Sequence, residues 1–258
     1  MQPYKQTMSQ QPLTLADKVR AVLAITAFFV MLMLMIPISI VLILVSFGRL
    51  ASFIVDTMAA GMARICLRIL KIDFRVLRHV DPIPAPAVYI SNHSSTLDIL
   101  TLLSLGLPGV RFVAKWEFQY NPFILVMGRL TGQLFIRRDD REKAISTLQK
   151  SYDRVKRRRL SLYVAPEGTR KHEGVIGPFK KGAFRMAMDL GYPIVPIYFE
   201  GTRELSRGAS LFAKPGVIEA HIHPAIDTSD WTPETLPEQI DSIRGQYLVW
   251  AGVDEEGT

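Results

Sequence analysis

At 258 residues the chain has room for one medium domain and an appendage, and two full domains would be cramped. Its one cysteine, Cys66, excludes an intrachain disulfide and a cysteine-built zinc site, and fits reducing surroundings. The formal charge of +7 is regional: ten Lys/Arg against four Asp/Glu fall between Arg137 and Arg159, a patch that suits nucleic acid, an anionic bilayer, a phosphorylated substrate or a plain solvated helix face.

The first element along the chain is apolar. Hydrophobic residues make up 48% of the chain and the mean hydropathy is +0.17; residues 21–47, without one charged side chain, account for much of that bias. Lys18 and Arg20 precede the run and Arg49 follows it. A membrane-crossing helix needs roughly 20 such residues, whereas the apolar part of a secretory signal is only about 7–15 long. The run is therefore expected to lie in a bilayer. Pro37, in its middle, predicts a kink or break. A second apolar stretch, 50–70, is interrupted by Asp56, Arg64 and Arg68. One tilted span, or a helical hairpin that enters one leaflet and returns, would both accommodate this pattern. Basic residues on both flanks mildly favour the hairpin. Residues 1–70 are read as membrane-anchoring helices and 71–258 as the globular domain.

Beyond residue 70, short β-branched runs alternate with helical periods. Strands are expected at 72–77, 87–91, 110–114, 134–136, 160–165, 194–199 and 217–223, and helices at 97–105, 123–130, 141–158, 182–190 and 233–250. In the third helix Ile145, Leu148, Tyr152 and Val155 recur at helical spacing with charges on the other faces. This alternation predicts a layered α/β domain, with a mostly parallel mixed sheet flanked by helices. No internal repeat or low-complexity segment interrupts it.

The chemistry-bearing stretch is Asn-His-Ser-Ser-Thr-Leu-Asp at 92–98. His93 falls at the carboxyl end of the second strand, where open α/β sheets place their sites. Asp98 is five residues on, which in one continuous helix would set the two side chains about 140° apart. They can meet only if His93 precedes the helix and folds back over its first turn, with the Ser-Ser-Thr segment as cap. Asp98 would then fix the tautomer of His93 and stabilise its imidazolium, making His93 a general base for an external hydroxyl or water. Ser94 and Ser95 lie near enough to stay open as nucleophiles. The bland alternative, a capping histidine with an aspartate bonded to backbone, is common for so short a pattern.

Three further blocks follow in order. They are Gly-Gln-Leu-Phe-Ile-Arg-Arg at 132–138, Val-Ala-Pro-Glu-Gly-Thr-Arg at 164–170 with Phe-Lys-Lys-Gly at 179–182, and Tyr-Pro-Ile-Val-Pro-Ile at 192–197. Ala114 and Lys115, with Glu117 and Pro122, form a linking segment. Together these blocks resemble the glycerolipid acyltransferases of the lysophosphatidic acid acyltransferase type, over roughly residues 85 to 200. Arg138 and the block at 167–170 each follow a strand, so both are expected at the same sheet edge as His93. Arginine suits bidentate phosphate binding, and a glycine lets backbone approach a ligand.

The resemblance implies that His93 and Asp98 are catalytic, and that Arg138, Glu167, Gly168, Thr169 and Arg170 hold the acceptor's glycerol-phosphate end. Glu167 would contact the glycerol or steady an arginine. Lys115, Lys180 and Lys181 would add positive field. It also implies acyl transfer from acyl-CoA or acyl carrier protein to a lysophospholipid hydroxyl, most simply 1-acyl-glycerol-3-phosphate, giving phosphatidic acid. Neither metal nor bound cofactor is expected. The partners would be bilayer, acceptor and donor rather than nucleic acid, with the catalytic domain on the cytoplasmic side of the inner membrane. Other acceptors, namely a lyso-aminolipid or glycerol 3-phosphate, and a membrane hydrolase are the competing readings. His221 and His223 alternate on one strand face; a metal pair is the alternative, but they read as ordinary strand positions for want of acidic or cysteine company in the pattern.

Overall fold

The computed structural model describes residues 12–137, 140–169, 175–206, 208 and 210–253. Thr14 opens the first helix, α1 (Leu15–Val45), with a capping box: its hydroxyl accepts the Asp17 N–H at 3.2 Å, and the Asp17 carboxylate accepts the Thr14 N–H at 2.8 Å. The helix continues through Pro37 to Val45, so of the expected kink or break the break does not occur. One missing N–H is a small loss in a helix this long and apolar. Val22, Val30, Leu34, Val41 and Leu44 are exposed along it, while Ala21, Ala24, Leu32 and Met35 are buried. It is the one helix among the described residues long and apolar enough to cross a membrane.

A turn with positive φ at Phe47 and Gly48 sends the chain back. The returning arm, α2, runs through Ala51–Phe53, a π-helical stretch Ile54–Ala59, and Ala60–Ile69. The two arms pack antiparallel, with Ala21 and Ala24 clustered with Leu67 and Leu70, and Leu32 and Met35 with Ile54 and Met62. The arm α2 also belongs to the globular core. Arg64 Nε donates to the Ser104 carbonyl at 2.9 Å, and Asp56 Oδ2 accepts the Gly109 N–H at 2.7 Å. The approach is close enough that a Cβ on Gly106, which has φ +60°, would stand 2.6 Å from the Asp56 carbonyl oxygen.

Among the described residues the sheet has seven strands: β1 (Ile72–Arg78), β2 (Val88–Ser91), β3 (Val110–Lys115), β4 (Leu134–Ile136), β5 (Ser161–Val164), β6 (Ile194–Glu200) and β7 (Gly216–Ile222). Their order is β1-β7-β6-β2-β5-β3-β4, and every pairing is parallel except β6 with β7. This is the mostly parallel mixed sheet that the alternating pattern predicts. Helices α3 (Leu97–Leu105), α4 (Pro122–Thr131), α5 (Arg141–Arg157), α6 (Lys181–Leu190), α7 (Thr202–Leu205) and α8 (Leu236–Trp250) flank it. The central strand β2 is buried throughout, as a parallel strand covered on both faces must be. Val88, Ile90 and Ile194 point into one core with Phe184 and Tyr247; Tyr89, Val195 and Ile197 point into the other with Leu102 and Leu105 of α3.

Candidate active site

Asn92, at the end of β2, continues the ladder with its side chain: its Nδ2 donates to the Phe199 carbonyl at 2.9 Å and its Oδ1 accepts the Phe199 N–H at 2.8 Å. The next residue, His93, therefore leaves the sheet at a fixed point, and α3 begins only at Leu97. The chain folds back over the first turn of that helix. His93 Nδ1 lies 3.0 Å from Asp98 Oδ2, and the same oxygen accepts the N–H groups of Ser94 at 2.8 Å and Ser95 at 2.9 Å. Placing His93 before the helix removes the angular mismatch of the five-residue spacing.

Three donors on one oxygen make Asp98 both the anchor of the Ser94–Ser95 backbone and partner to the imidazole. Its carboxylate accepts, so the bonded Nδ1 of His93 carries a proton, and in the neutral ring Nε2 is the nitrogen with the lone pair. Asp98 is buried, while the His93 side chain keeps 22% of its surface. The serine hydroxyls are engaged elsewhere: Ser94 Oγ meets Thr202 Oγ1 at 3.3 Å, and Ser95 Oγ accepts the Leu97 N–H at 3.1 Å.

Glu167 follows β5 and is 2% exposed. Its Oε1 accepts the His93 backbone N–H at 2.7 Å and its Oε2 accepts the Gly177 N–H at 2.7 Å. Glu167 thus holds the backbone under the histidine, a use that the sequence pattern did not show. Gly168 has φ +67°, and a Cβ there would stand 3.1 Å from Lys180 Nζ. Thr169, Lys180 and Lys181 are exposed. Lys115 ends β3 and pairs with Glu117 at 3.0 Å, a half-exposed surface ion pair and not a contact of His93. Arg138 and Arg170 lie outside the described residues.

Two residues of α8 support the same point and carry no motif. Arg244 Nε donates to the Gly177 carbonyl at 3.0 Å and its Nη2 to the Ile176 carbonyl at 3.1 Å, fixing the segment that bonds Glu167. The Tyr247 hydroxyl, fully buried, accepts the Ile197 N–H at 3.2 Å and lies 3.0 Å from the Ile90 carbonyl, bridging β6 and β2 just before the site. A tyrosine on the apolar face of a helix was the one available signal, since a buried hydroxyl needs a partner.

Beside His93 and Asp98 opens a cavity of about 330 Å³. Its wall is otherwise nearly all apolar and joins three parts of the fold: Phe28, Leu32 and Met35 of α1, Ile54 and Met62 of α2, and Phe112, Met127 and Tyr163 of the domain. The His93–Asp98 pair and an apolar slot therefore share one opening. That arrangement suits proton removal from a polar group borne on a greasy chain.

Residues 75–200 match the family described as Acyltransferase, a span that holds His93, Asp98 and Glu167. A 1-acyl-sn-glycerol-3-phosphate acyltransferase from Saccharomyces cerevisiae is 34% identical over 181 residues, covering 69% of this chain and 60% of the relative. One from Salmonella typhimurium is 33% identical over 152 residues, 59% of this chain and 61% of the relative. The matched part thus spans about 60% of the length of these curated relatives. In fold, the chain is similar to the crystal structure of the 1-acyl-sn-glycerophosphate acyltransferase PlsC from Thermotoga maritima, with a TM-score of 0.68 at 22% identity over 92% of this chain and 98% of that one. With the motif order and the matched span together, this chain belongs to the acyltransferase family.

Proposed function

We propose that the protein transfers a fatty acyl group from a thioester donor to the free hydroxyl of 1-acyl-glycerol-3-phosphate, producing phosphatidic acid. The observation that carries this reading is the His93–Asp98 pair, joined at 3.0 Å, on the wall of an apolar cavity of about 330 Å³. The acceptor hydroxyl gives its proton to His93 Nε2 as its oxygen attacks the thioester carbonyl carbon. The tetrahedral oxyanion then collapses, the carbon–sulfur bond breaks, and the imidazolium returns the proton to the departing thiolate. Asp98 holds the imidazole in the required tautomer and balances its transient charge. Glu167 holds the His93 backbone, so the base meets the hydroxyl at a fixed height.

In this reading Arg138 and Arg170 bind the acceptor's phosphate, Gly168 and Thr169 border it, and Lys115, with Lys180, adds positive field. The donor is acyl-CoA or acyl carrier protein. Residues 1–70 anchor and 71–258 catalyse, with α2 joining the two. The exposed apolar face of α1 associates with the bilayer, so that a lyso-lipid reaches His93 without leaving it. The unpaired thiol of Cys66 accords with a catalytic domain on the reducing, cytoplasmic side of the inner membrane. The test is a panel of acceptors (lysophosphatidate, glycerol 3-phosphate and a lyso-aminolipid) incubated with purified protein and labelled acyl-CoA or acyl carrier protein. Labelled phosphatidic acid is the expected product. Labelling only of another acceptor, or only of free fatty acid, would overturn the reading.

A further inference from the structure

We infer a binding site for one divalent cation of the zinc type at the end of the β6–β7 pair, formed by Glu200, Glu219 and His221. The antiparallel register sets Glu200 directly opposite Glu219, and His221 follows two residues on, on the same face. His221 Nε2 lies 3.6 Å from Glu200 Oε2 and 3.8 Å from Glu219 Oε2, and one ligand atom from each of the three residues lies within 4.8 Å of the other two. A tetrahedral zinc ion, at about 2.0–2.2 Å from nitrogen and oxygen ligands, holds them roughly 3.3–3.6 Å apart. Small rotations of two half-buried carboxylates close that difference.

The tautomer of His221 decides whether Nε2 can act as a ligand. Its other ring nitrogen, Nδ1, lies 3.2 Å from His79 Nε2. If Nδ1 donates that bond, Nε2 turns a lone pair towards two carboxylates, and Nε2 is buried with no hydrogen-bond partner. In that tautomer the three ligand atoms converge on one point that a divalent cation would fill; in the other, an Nε2 proton would face the two carboxylates instead. A metal-bound histidine whose second nitrogen is fixed by a neighbour takes the first form. The surroundings preorganise the ring further: His79 stacks on His223 at 4.8 Å, and His223 on Trp250 of α8 at 3.6 Å. Imidazole with carboxylates suits zinc better than calcium or magnesium, which take oxygen ligands.

Glu219 and His221 share one face of β7, so the strand itself supplies one acid, contrary to the sequence reading, and the cross-strand register adds Glu200. Next to the site, Gly201 at φ +90° turns the chain into α7, where Thr202 meets Ser94 beside His93. The cation would tie β6 to β7 at the base of the segment that buttresses the catalytic loop. It takes no part in proton transfer.

The test uses full-length, tag-free protein stripped with chelator and titrated with zinc by calorimetry and by thermal unfolding. The expected result is one zinc per chain with a raised unfolding temperature. Glu219→Gln and His221→Ala should each weaken binding at least tenfold, while His93→Ala binds as wild type does. The near-isosteric Glu219→Gln guards against loss of fold, which its unfolding temperature without zinc checks. Absence of zinc binding at micromolar concentrations, equal binding by Glu219→Gln, or loss of binding in His93→Ala would each overturn the site.

Discussion

Glu167 grips the backbone of His93 and leaves the imidazole alone: its Oε1 accepts the His93 N–H at 2.7 Å, while the ring bonds Asp98. The two acids thus divide the work, one fixing where the base stands and the other which proton it carries. In Glu167→Gln, one amide N–H would face a backbone N–H, leaving a buried donor unsatisfied at about 1–3 kcal/mol. The variant should unfold at lower temperature and lose about 10- to 100-fold in kcat, with little change in the KM for acyl donor. Kinetics beside a melting curve check this; an unchanged kcat would leave Glu167 a structural role only.

Arg244 stabilises the same relay from α8, through its bonds to the Ile176 and Gly177 carbonyls. Arg244→Met keeps the apolar stem and removes both donors. A loss of about 1–3 kcal/mol in stability is expected, with a fall in kcat smaller than that of Glu167→Gln. Denaturant unfolding and steady-state rates measure the two effects.

Cavity length should set acyl preference. Ala59 of the π-helical stretch lines the slot, and Ala59→Phe would fill part of it and displace methylenes of a bound chain. Each buried methylene is worth about 0.8 kcal/mol, so expelling two costs more than tenfold in kcat/KM. Long-chain donors should lose that factor while short ones keep theirs, measured by paired donor assays. Equal losses for both would show that the chain binds elsewhere.

Asp56 gives the pH dependence of stability a sign. Burial pushes its carboxyl up to about 6, against the opposing pull of the Gly109 N–H and of Arg111. A raised carboxyl pKa means that the folded state holds the proton more tightly than the unfolded one. The resulting stability is fully present below about pH 4 and is lost as pH rises through about 6. Relative to Asp56→Asn, the wild type should gain roughly 1–3 kcal/mol on acidification from neutrality to pH ~4, read from urea unfolding at each pH. A flat difference across that range would contradict it.

Much of this was legible in the chain. Strand 134–136 and helix 97–105 have the bounds that their apolar runs and glycine stops dictate. The pairing of His93 with Asp98 followed once the histidine was placed before the helix. The remaining features depend on contacts between segments distant in sequence. Nothing local reveals that Asn92 would bond Phe199, that Glu167 would accept the His93 N–H, or that Glu200 would face Glu219 across an antiparallel pair. The 3₁₀ turn Trp116–Tyr120 and the helix Thr202–Leu205 are too short to show a period. At Pro37 the local rule allowed a kink or a break, and α1 continues through it without breaking.

The central claim is that His93 Nε2 is the base. Purified wild type and His93→Ala, matched in unfolding temperature, should be given labelled acyl-CoA or acyl carrier protein and lysophosphatidate. Wild type should form labelled phosphatidic acid, and His93→Ala should be slower by at least about 10²–10⁴-fold with a similar KM for the donor. Acyl transfer by His93→Ala at the wild-type rate would contradict the mechanism outright.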